Sequence, residues 1–226
     1  MTSVPEIESL FFGAWPAAEV LALGDWRLRF TSGVTRRANS VWPGGASGLA
    51  LDAAIERAEA FYRLRGVPPR FQLFPSEPCA ALDPALAERG YELESPVSVQ
   101  LAAASDVARA IGADGAAADV EDRITQAWWS IAAERSRFAA APEQYRGLVE
   151  RIGPRAGFAL ARLEGEPAAS GLGVVEGDFA GVFSMLTLPE RRRRGAARAV
   201  LGALALYARA GFREIYGYHY RLARAR

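Results

Sequence analysis

Three stretches of this sequence predict an α/β (α+β) fold: a mixed, mostly antiparallel sheet flanked by helices, in two halves. The first is 183–201, where an apolar strand breaks at Pro189, passes four arginines, Arg191 to Arg194, and leads through Gly195 into an Ala/Val/Leu helix. The second is a run of strand candidates at 158–163, 168–175 and 179–188. They are separated by Glu164-Gly165-Glu166 and Glu176-Gly177-Asp178, whose glycines and acids suit tight hairpins. The third is 104–120, rich in Ala, Gly and Asp and poor in bulky apolar residues, which reads as a linker between 1–103 and 121–226.

Within the first half, 7–15 reads as a short amphipathic helix, and Trp26-Arg-Leu-Arg-Phe30 alternates as a half-buried strand does. After Ser32-Gly33, residues 34–42 supply its hairpin partner, ended by Pro43-Gly44-Gly45. Asp52 is the expected N-cap of a helix to about Arg65, with Ile55, Ala58, Tyr62 and Leu64 on one face and Gly66 at its end. A strand at 71–74, a helix at 83–89 stopped by Gly90, and a strand at 93–101 complete this half. In the second half, helices are expected over 123–138 and 141–152 before the meander, and a tyrosine-rich strand over 215–220 after it.

Composition narrows the function. With 226 residues, half of them apolar, 23% charged and a net charge of +1, the chain is globular rather than disordered. All 27 residues in the Lys+Arg count are arginine, which points to genomic base composition and lowers the weight of any single one. Near-zero net charge with one short basic cluster argues against nucleic acid as a partner. One cysteine, Cys79, and one histidine, His219, exclude an internal disulfide and a Cys/His zinc site. A Ser-His-Asp mechanism would need His219, and no Gly-x-Ser-x-Gly elbow accompanies it. The N-terminus has no basic-then-apolar leader, and the longest apolar run, 199–208, is well short of the ~20 residues a membrane span needs, so a cytoplasmic location is expected.

The chemistry concentrates at the arginines. Cations are unfavourable at a helix N-terminus, where the dipole and unpaired N–H groups already present positive potential. A basic cluster there makes sense when an anion occupies the turn, and strand, basic glycine turn and helix N-terminus together make a phosphate-binding arrangement. Arg192-Arg193-Arg194-Gly195-Ala196-Ala197 fits Arg/Gln-x-x-Gly-x-Gly/Ala. Taken alone, the hexapeptide equally fits a solvated basic turn before a surface helix.

Residues 158–221 resemble the GNAT acetyltransferase superfamily, on Met185-Leu-Thr-Leu-Pro-Glu-Arg-Arg-Arg-Arg-Gly-Ala-Ala-Arg198 and Leu206-Tyr207-Ala-Arg-Ala-Gly211-Phe212. The resemblance implies transfer of an acetyl group from acetyl-CoA to an amine, a small molecule or a peptide, by direct attack, with no metal. It implies that Met185, Leu186 and Thr187 pair their backbone with the pantetheine arm. It further implies that the amides of Arg192, Arg193, Arg194, Gly195, Ala196 and Ala197 cradle the pyrophosphate, and that Tyr207 protonates the departing thiolate. The first hundred residues are similar to the N-terminal half of a bacterial GNAT subgroup through Trp26–Phe30, Thr35-Arg-Arg-Ala-Asn39-Ser40-Val-Trp42-Pro43 and Glu88-Arg-Gly-Tyr91. On that resemblance they form a degenerate copy of the fold, with Asn39, Ser40 and Trp42 either lining a substrate cleft or capping a packed hairpin end. Glu134 is a bare candidate for a general base, and the acidic turn at Glu164 hints at a cationic acceptor.

One departure stands out. Nine residues, 198–206, separate Ala197 from Tyr207, where the resemblance implies a further strand and turn. As one continuous helix, this segment carries Tyr207 about 18 Å along the axis from Gly195 and about 120° around it. The alternative reading is therefore a catalytically impaired relative that binds CoA or acts as a protein-interaction module.

Overall fold

In the computed structural model, which describes residues 3–111, 118–206 and 213–224, Ser3 starts the first helix with a capping box. Its hydroxyl accepts from the Glu6 N–H, and the Glu6 carboxylate accepts from the Ser3 N–H at 2.6 Å. Helix α1 (Val4–Ala14) buries Ile7, Glu8 and Ala14. Strands β1 (Glu19–Leu23) and β2 (Trp26–Phe30) form a hairpin. The expected partner over 34–42 is shorter than its alternation implies: only β3 (Val41–Pro43) pairs with β2, because 31–40 folds into a loop around Asn39. Helix α2 (Leu51–Arg63) starts after Ala50, with no side-chain cap. Asp52 sits inside the first turn, where a carboxylate complements the helix dipole. Leu64 lies past the helix and is 86% exposed, so it leaves the buried face that the pattern assigned it. Strand β4 (Arg70–Leu73) runs parallel to β3. Helix α3 (Glu77–Glu88) begins six residues earlier than the composition suggests, because Pro78 occupies the first turn, where no N–H is required of it. Strand β5 (Glu92–Leu101) follows.

The second part of the chain begins with two elements in the stretch expected as a linker. Helix α4 (Ala104–Ile111) packs on the last helix of this unit through Ala102, Val107 and Leu201, and β6 (Ala118–Glu121) pairs with the next strand. Small residues conceal these elements in composition, yet they suit a close fit against another alanine-rich helix. Thr125 caps α5 (Gln126–Trp129) by accepting from the Trp128 N–H at 3.2 Å, and the helix widens into a π turn over Ser130–Glu134. Helix α6 (Pro142–Glu150) precedes the antiparallel meander of β7 (Ala156–Leu163), β8 (Glu166–Glu176) and β9 (Phe179–Thr187). Glu164 and Gly165 both have positive φ, at 56° and 82°, so the first hairpin closes on a type I′ turn. Helix α7 (Ala196–Leu206) crosses one face of this sheet. Its Val200 and Leu204 lie where Cβ atoms on Gly171 and Gly173 would stand, at 2.5 and 2.7 Å, and Ala159, Ala161, Ala168 and Ala169 complete the small-residue floor.

The tyrosine-rich final strand, β10 (Arg213–Leu222), expected within the second half, lies instead between β4 and β5. The first sheet therefore reads β1-β2-β3-β4-β10-β5, and the two units are residues 1–100 with 214–226, and residues 101–213. Tyr216, Tyr218 and Tyr220 are all buried, as alternate residues on one face. The Tyr216 hydroxyl donates to Glu8 at 2.6 Å and Arg37 donates to the Tyr218 oxygen at 2.6 Å, which ties the strand to α1 and the 31–40 loop. Among the described residues, no helix is long and apolar enough to cross a membrane.

Candidate functional site

The turn after β9 is built as its residues suggest. Pro189, at the first turn position, starts a short 3₁₀ turn through Arg191, and the backbone becomes left-handed at Arg193 (φ 59°) and again at Gly195 (φ 84°). Arginine accepts that conformation at a cost, whereas glycine adopts it freely. A bond of α7 runs from the Ala199 N–H to the Gly195 carbonyl at 3.0 Å, so the amides of Ala196 and Ala197 at the helix start open from the helix end. A Cβ on Gly195 would meet nothing within 4 Å. Protein packing therefore does not demand glycine there; only the backbone conformation does, and the space in front of it is open.

The four arginines divide. Arg191 and Arg194 both hydrogen-bond Glu164 of the β7–β8 turn, the former at 3.3 Å. The Arg194 hydrogen bond and charge, with Arg191 behind it, hold the Glu164 carboxyl below the usual carboxylate range. Glu164 is thus spent on the chain's own turn, which removes its value as a hint of a cationic acceptor. Glu190 likewise pairs with Arg135. Arg192 and Arg193 are exposed on the turn.

Strand β9 is the edge strand of its sheet among the described residues, so Met185, Leu186 and Thr187 lie on an edge beside the turn. Met185 is 41% exposed, and Leu186 packs against Ile131 and Leu188. The pairing is interrupted here: Ser170 faces Leu186 and Leu172 faces Phe183, so Gly171 alone opposes Ser184 and Met185. This is a β-bulge, with Ser184 left-handed at φ 49°. The Gly171 carbonyl takes a hydrogen bond from the fully buried Trp128 indole at 2.9 Å. The Tyr145 hydroxyl reaches Ser184 Oγ at 3.0 Å. No sequence signal marks Ser184, Tyr145 or Trp128 as members of this neighbourhood, because a bulge leaves no signature in an apolar run.

The other predicted residues fall elsewhere. Tyr207 lies outside the described residues. Glu134 is exposed at the end of the π turn and accepts from Gln126 Nε2 at 3.3 Å. Asn39 is fully engaged within its own loop: Oδ1 accepts from the Thr31 and Gly33 amides at 2.7 and 2.9 Å, and Nδ2 donates to the Thr35 carbonyl at 2.7 Å. Ser40 Oγ accepts from the buried Arg29 at 2.9 Å, and Trp42 packs on Phe12 and Phe74. These three cap and pack a hairpin end. His219 approaches Asp83, whose main partner is Arg221 at 2.7 Å.

The geometry of the turn and edge can be set beside known proteins. Residues 3–213 match the family described as "Probable histone acetyltransferase Rv0428c C-terminal". The chain is 28% identical over 253 aligned positions to "Uncharacterized N-acetyltransferase YobR" of Bacillus subtilis, a match spanning 99% of this chain and all of the relative. Those 253 positions exceed the 226 residues here, so at least 27 of the relative's positions have no counterpart in this chain. In fold, the chain is similar to a functionally unknown conserved protein from Staphylococcus epidermidis ATCC 12228 (TM-score 0.68, 7% identity, covering 95% of this chain and 96% of that one). A GCN5-related N-acetyltransferase from Kribbella flavida (0.57, 16%, 77% and 75%) is also similar in fold. So is a tandem GNAT protein from the clavulanic acid biosynthesis pathway (0.55, 14%, 76% and 69%).

Proposed function

This chain belongs to the GNAT superfamily, within the family of the Rv0428c C-terminal region, and on that premise we propose that it transfers the acetyl group of acetyl-CoA to an amine by direct attack. The observation that carries the reading is the turn at 192–197: two left-handed residues, opened helix amides and exposed arginines lie beside a strand edge that is unpaired among the described residues. The residues fit the group they would hold. The Arg192 N–H is already turned back onto the Pro189 carbonyl at 3.4 Å; the amides of Arg193 to Ala197 bind a pyrophosphate, the space before Gly195 admits its close approach, and the edge at Met185, Leu186 and Thr187 orients an extended amide-bearing arm. When bound, acetyl-CoA supplies an activated thioester; the acceptor nitrogen forms the new C–N bond as the C–S bond breaks. Holding amine and thioester together supplies much of the rate, and the strand's N–H groups polarise the carbonyl. Tyr207 is the proposed acid for the leaving sulfur. The acceptor is an amine on a small molecule or peptide; the family's description, which names a histone acetyltransferase, favours a peptide amine.

A second reading, CoA binding without turnover, is favoured by one observation. Helix α7 runs unbroken over Ala196–Leu206, where the resemblance implies a further strand and turn. One measurement addresses the shared premise. Acetyl-CoA is expected to raise the melting temperature of the wild-type protein, and Gly195→Glu to abolish the rise. The substitution puts an L residue at φ 84° and a carboxylate against the pyrophosphate, costing about 1–2 kcal/mol in backbone strain alone. No stabilisation of the wild type by any acyl-CoA would sink both readings, and turnover with any amine would separate them.

A further inference from the structure

We infer that Ser184 is a side-chain hydrogen-bond donor to the acyl carbonyl oxygen, set in position by Tyr145, an inference that rests on the acetyl-CoA reading above. The placement follows from strand direction. Leaving the turn at 192–197 and travelling back along β9, an arm laid on the edge passes Thr187, Leu186 and Met185 in that order, so its far end reaches Ser184. At that point the ladder is broken: Gly171 opposes both Ser184 and Met185, and Ser184 is held at φ 49°. A serine gains nothing from this conformation that glycine would not supply more cheaply. A strained polar residue at the end of a candidate substrate path calls for a role of its own.

Tyr145 determines what the hydroxyl can do. Its ring is fully buried, stacked on Phe138 at 3.9 Å with an interplanar angle of 10° and on Trp129 at 5.9 Å. Burial pushes its phenol up to about 12, against a smaller downward pull from the Ser184 hydrogen bond, so it stays protonated at neutral pH. Among the described residues, the partner of this phenol is Ser184 Oγ, at 3.0 Å. A buried phenol is the stronger donor of the two and must place its proton, so it donates to Ser184. That occupies a lone pair on Oγ and turns the serine's own proton elsewhere. Ser184 is half-buried rather than sealed, so its proton has somewhere to go. A donor fixed in this way needs no reorganisation as negative charge grows on the carbonyl oxygen during attack, which is the condition under which one hydrogen bond contributes most to rate. No proton leaves the serine. Ser184 touches substrate, while Tyr145 acts through it as a positioning residue.

The test needs no knowledge of the acceptor. Acetyl-CoA carrying ¹³C at the thioester carbonyl is bound to the full chain, and the carbonyl stretch is read by difference infrared spectroscopy. In the wild type the band is expected at lower wavenumber than in solution. In Ser184→Ala it returns towards the solution value while the acetyl-CoA-induced rise in melting temperature persists. Ser184→Gly, which suits the left-handed backbone, is expected to behave the same way and guards against a folding defect in the alanine variant. Tyr145→Phe keeps the aromatic stack and is expected to give a broader band at an intermediate position, an effect that loss of packing alone would not produce. If the wild type binds with its carbonyl band at the solution value, or if both Ser184 variants keep the wild-type band, the inference falls and the acetyl-CoA reading stands. If the wild type binds no acetyl-CoA, both fall together.

Discussion

Two polar loops carry most of the functional signals in this chain, and they put their hydrogen-bonding groups to opposite uses. In the loop at 31–40 of the first unit, Asn39 and Ser40, with Arg29 of the adjoining β2, spend their polar atoms inside the protein. Arg29 Nη2 donates to Ser40 Oγ and to Gln72 Oε1 at 2.9 and 2.8 Å, and Gln72 passes the pattern to Glu8 at 2.7 Å. In the turn at 192–197 of the second unit, backbone is bent left-handed twice, the first helix amides are left without intrahelical partners, and the space beside Gly195 is open. Both loops looked like binding candidates by residue type. What separates them is satisfaction: a polar group that has met its partners inside is architecture, and one held at a cost with its donors outward is available for a ligand.

The largest effect is expected where the first loop is most deeply spent. Arg29 is fully buried, and burial pulls its guanidinium down to about 10, which leaves it charged at neutral pH. Arg29→Met keeps much of the side-chain bulk over Phe12 but strips the donors from Ser40 and Gln72 and leaves the buried Glu8 with less compensation. Removing one partner of such a network costs about 3–5 kcal/mol, read as a drop in the denaturant midpoint. A loss below about 1 kcal/mol would mean that this network is ornamental, and the contrast between the loops would fail on its structural side.

A middle-sized effect concerns what holds the second loop in place. Helix α7 reaches the turn because Gly171 and Gly173 let Val200 and Leu204 sit directly on β8. Gly171→Ala puts a Cβ 2.5 Å from Val200 Cγ1, an overpacking that costs about 1–3 kcal/mol and displaces the helix that begins at the turn. The same substitution should weaken acetyl-CoA binding, and adding Val200→Ala should recover part of both losses by emptying the contested space. Calorimetric titration beside thermal melts measures the two together. Recovery of stability without recovery of binding would show that the turn does not ride on this contact.

How far the residues alone reach follows the same division between local and distant causes. The two hairpins of the 156–187 meander, β2, the strand ahead of the arginines and the turn itself were legible because each rests on neighbours in sequence: alternation, a glycine at positive φ, a proline at a first turn. The rest depended on partners far along the chain. Residues 104–120 read as a linker because alanine carries no periodic signal, although alanine is what lets α4 lie against α7. Strand β10 was legible as a strand but not as a member of the first sheet, since its tyrosines find Glu8 and Arg37 about two hundred residues away in sequence. The bulge at Ser184 and its contact with Tyr145 were hidden for that reason too: they arise from a mismatch with β8 and a helix packed beneath it.

The smallest effect tests whether the second loop is spent at all. Glu164 is exposed and holds both Arg191 and Arg194, so it withdraws part of the turn's positive potential. The hydrogen bond and charge of Arg194 keep its carboxyl ionised to a pH below the usual carboxylate range, so the withdrawal operates throughout neutral and mildly acidic conditions. Glu164→Gln removes the carboxylate without changing the side chain's reach, frees two guanidiniums and takes one like charge away from an incoming polyphosphate. Exposed ion pairs are weak, so the gain in acetyl-CoA affinity is expected to be about twofold at low ionic strength. It should vanish near 1 M salt, where the screening length falls to about 3 Å. A stabilisation that persists at high salt would point to a packing change instead of charge. Weaker binding in the variant would mean that Glu164 shapes the turn more than it shields it, and the second loop would then share the structural character of the first.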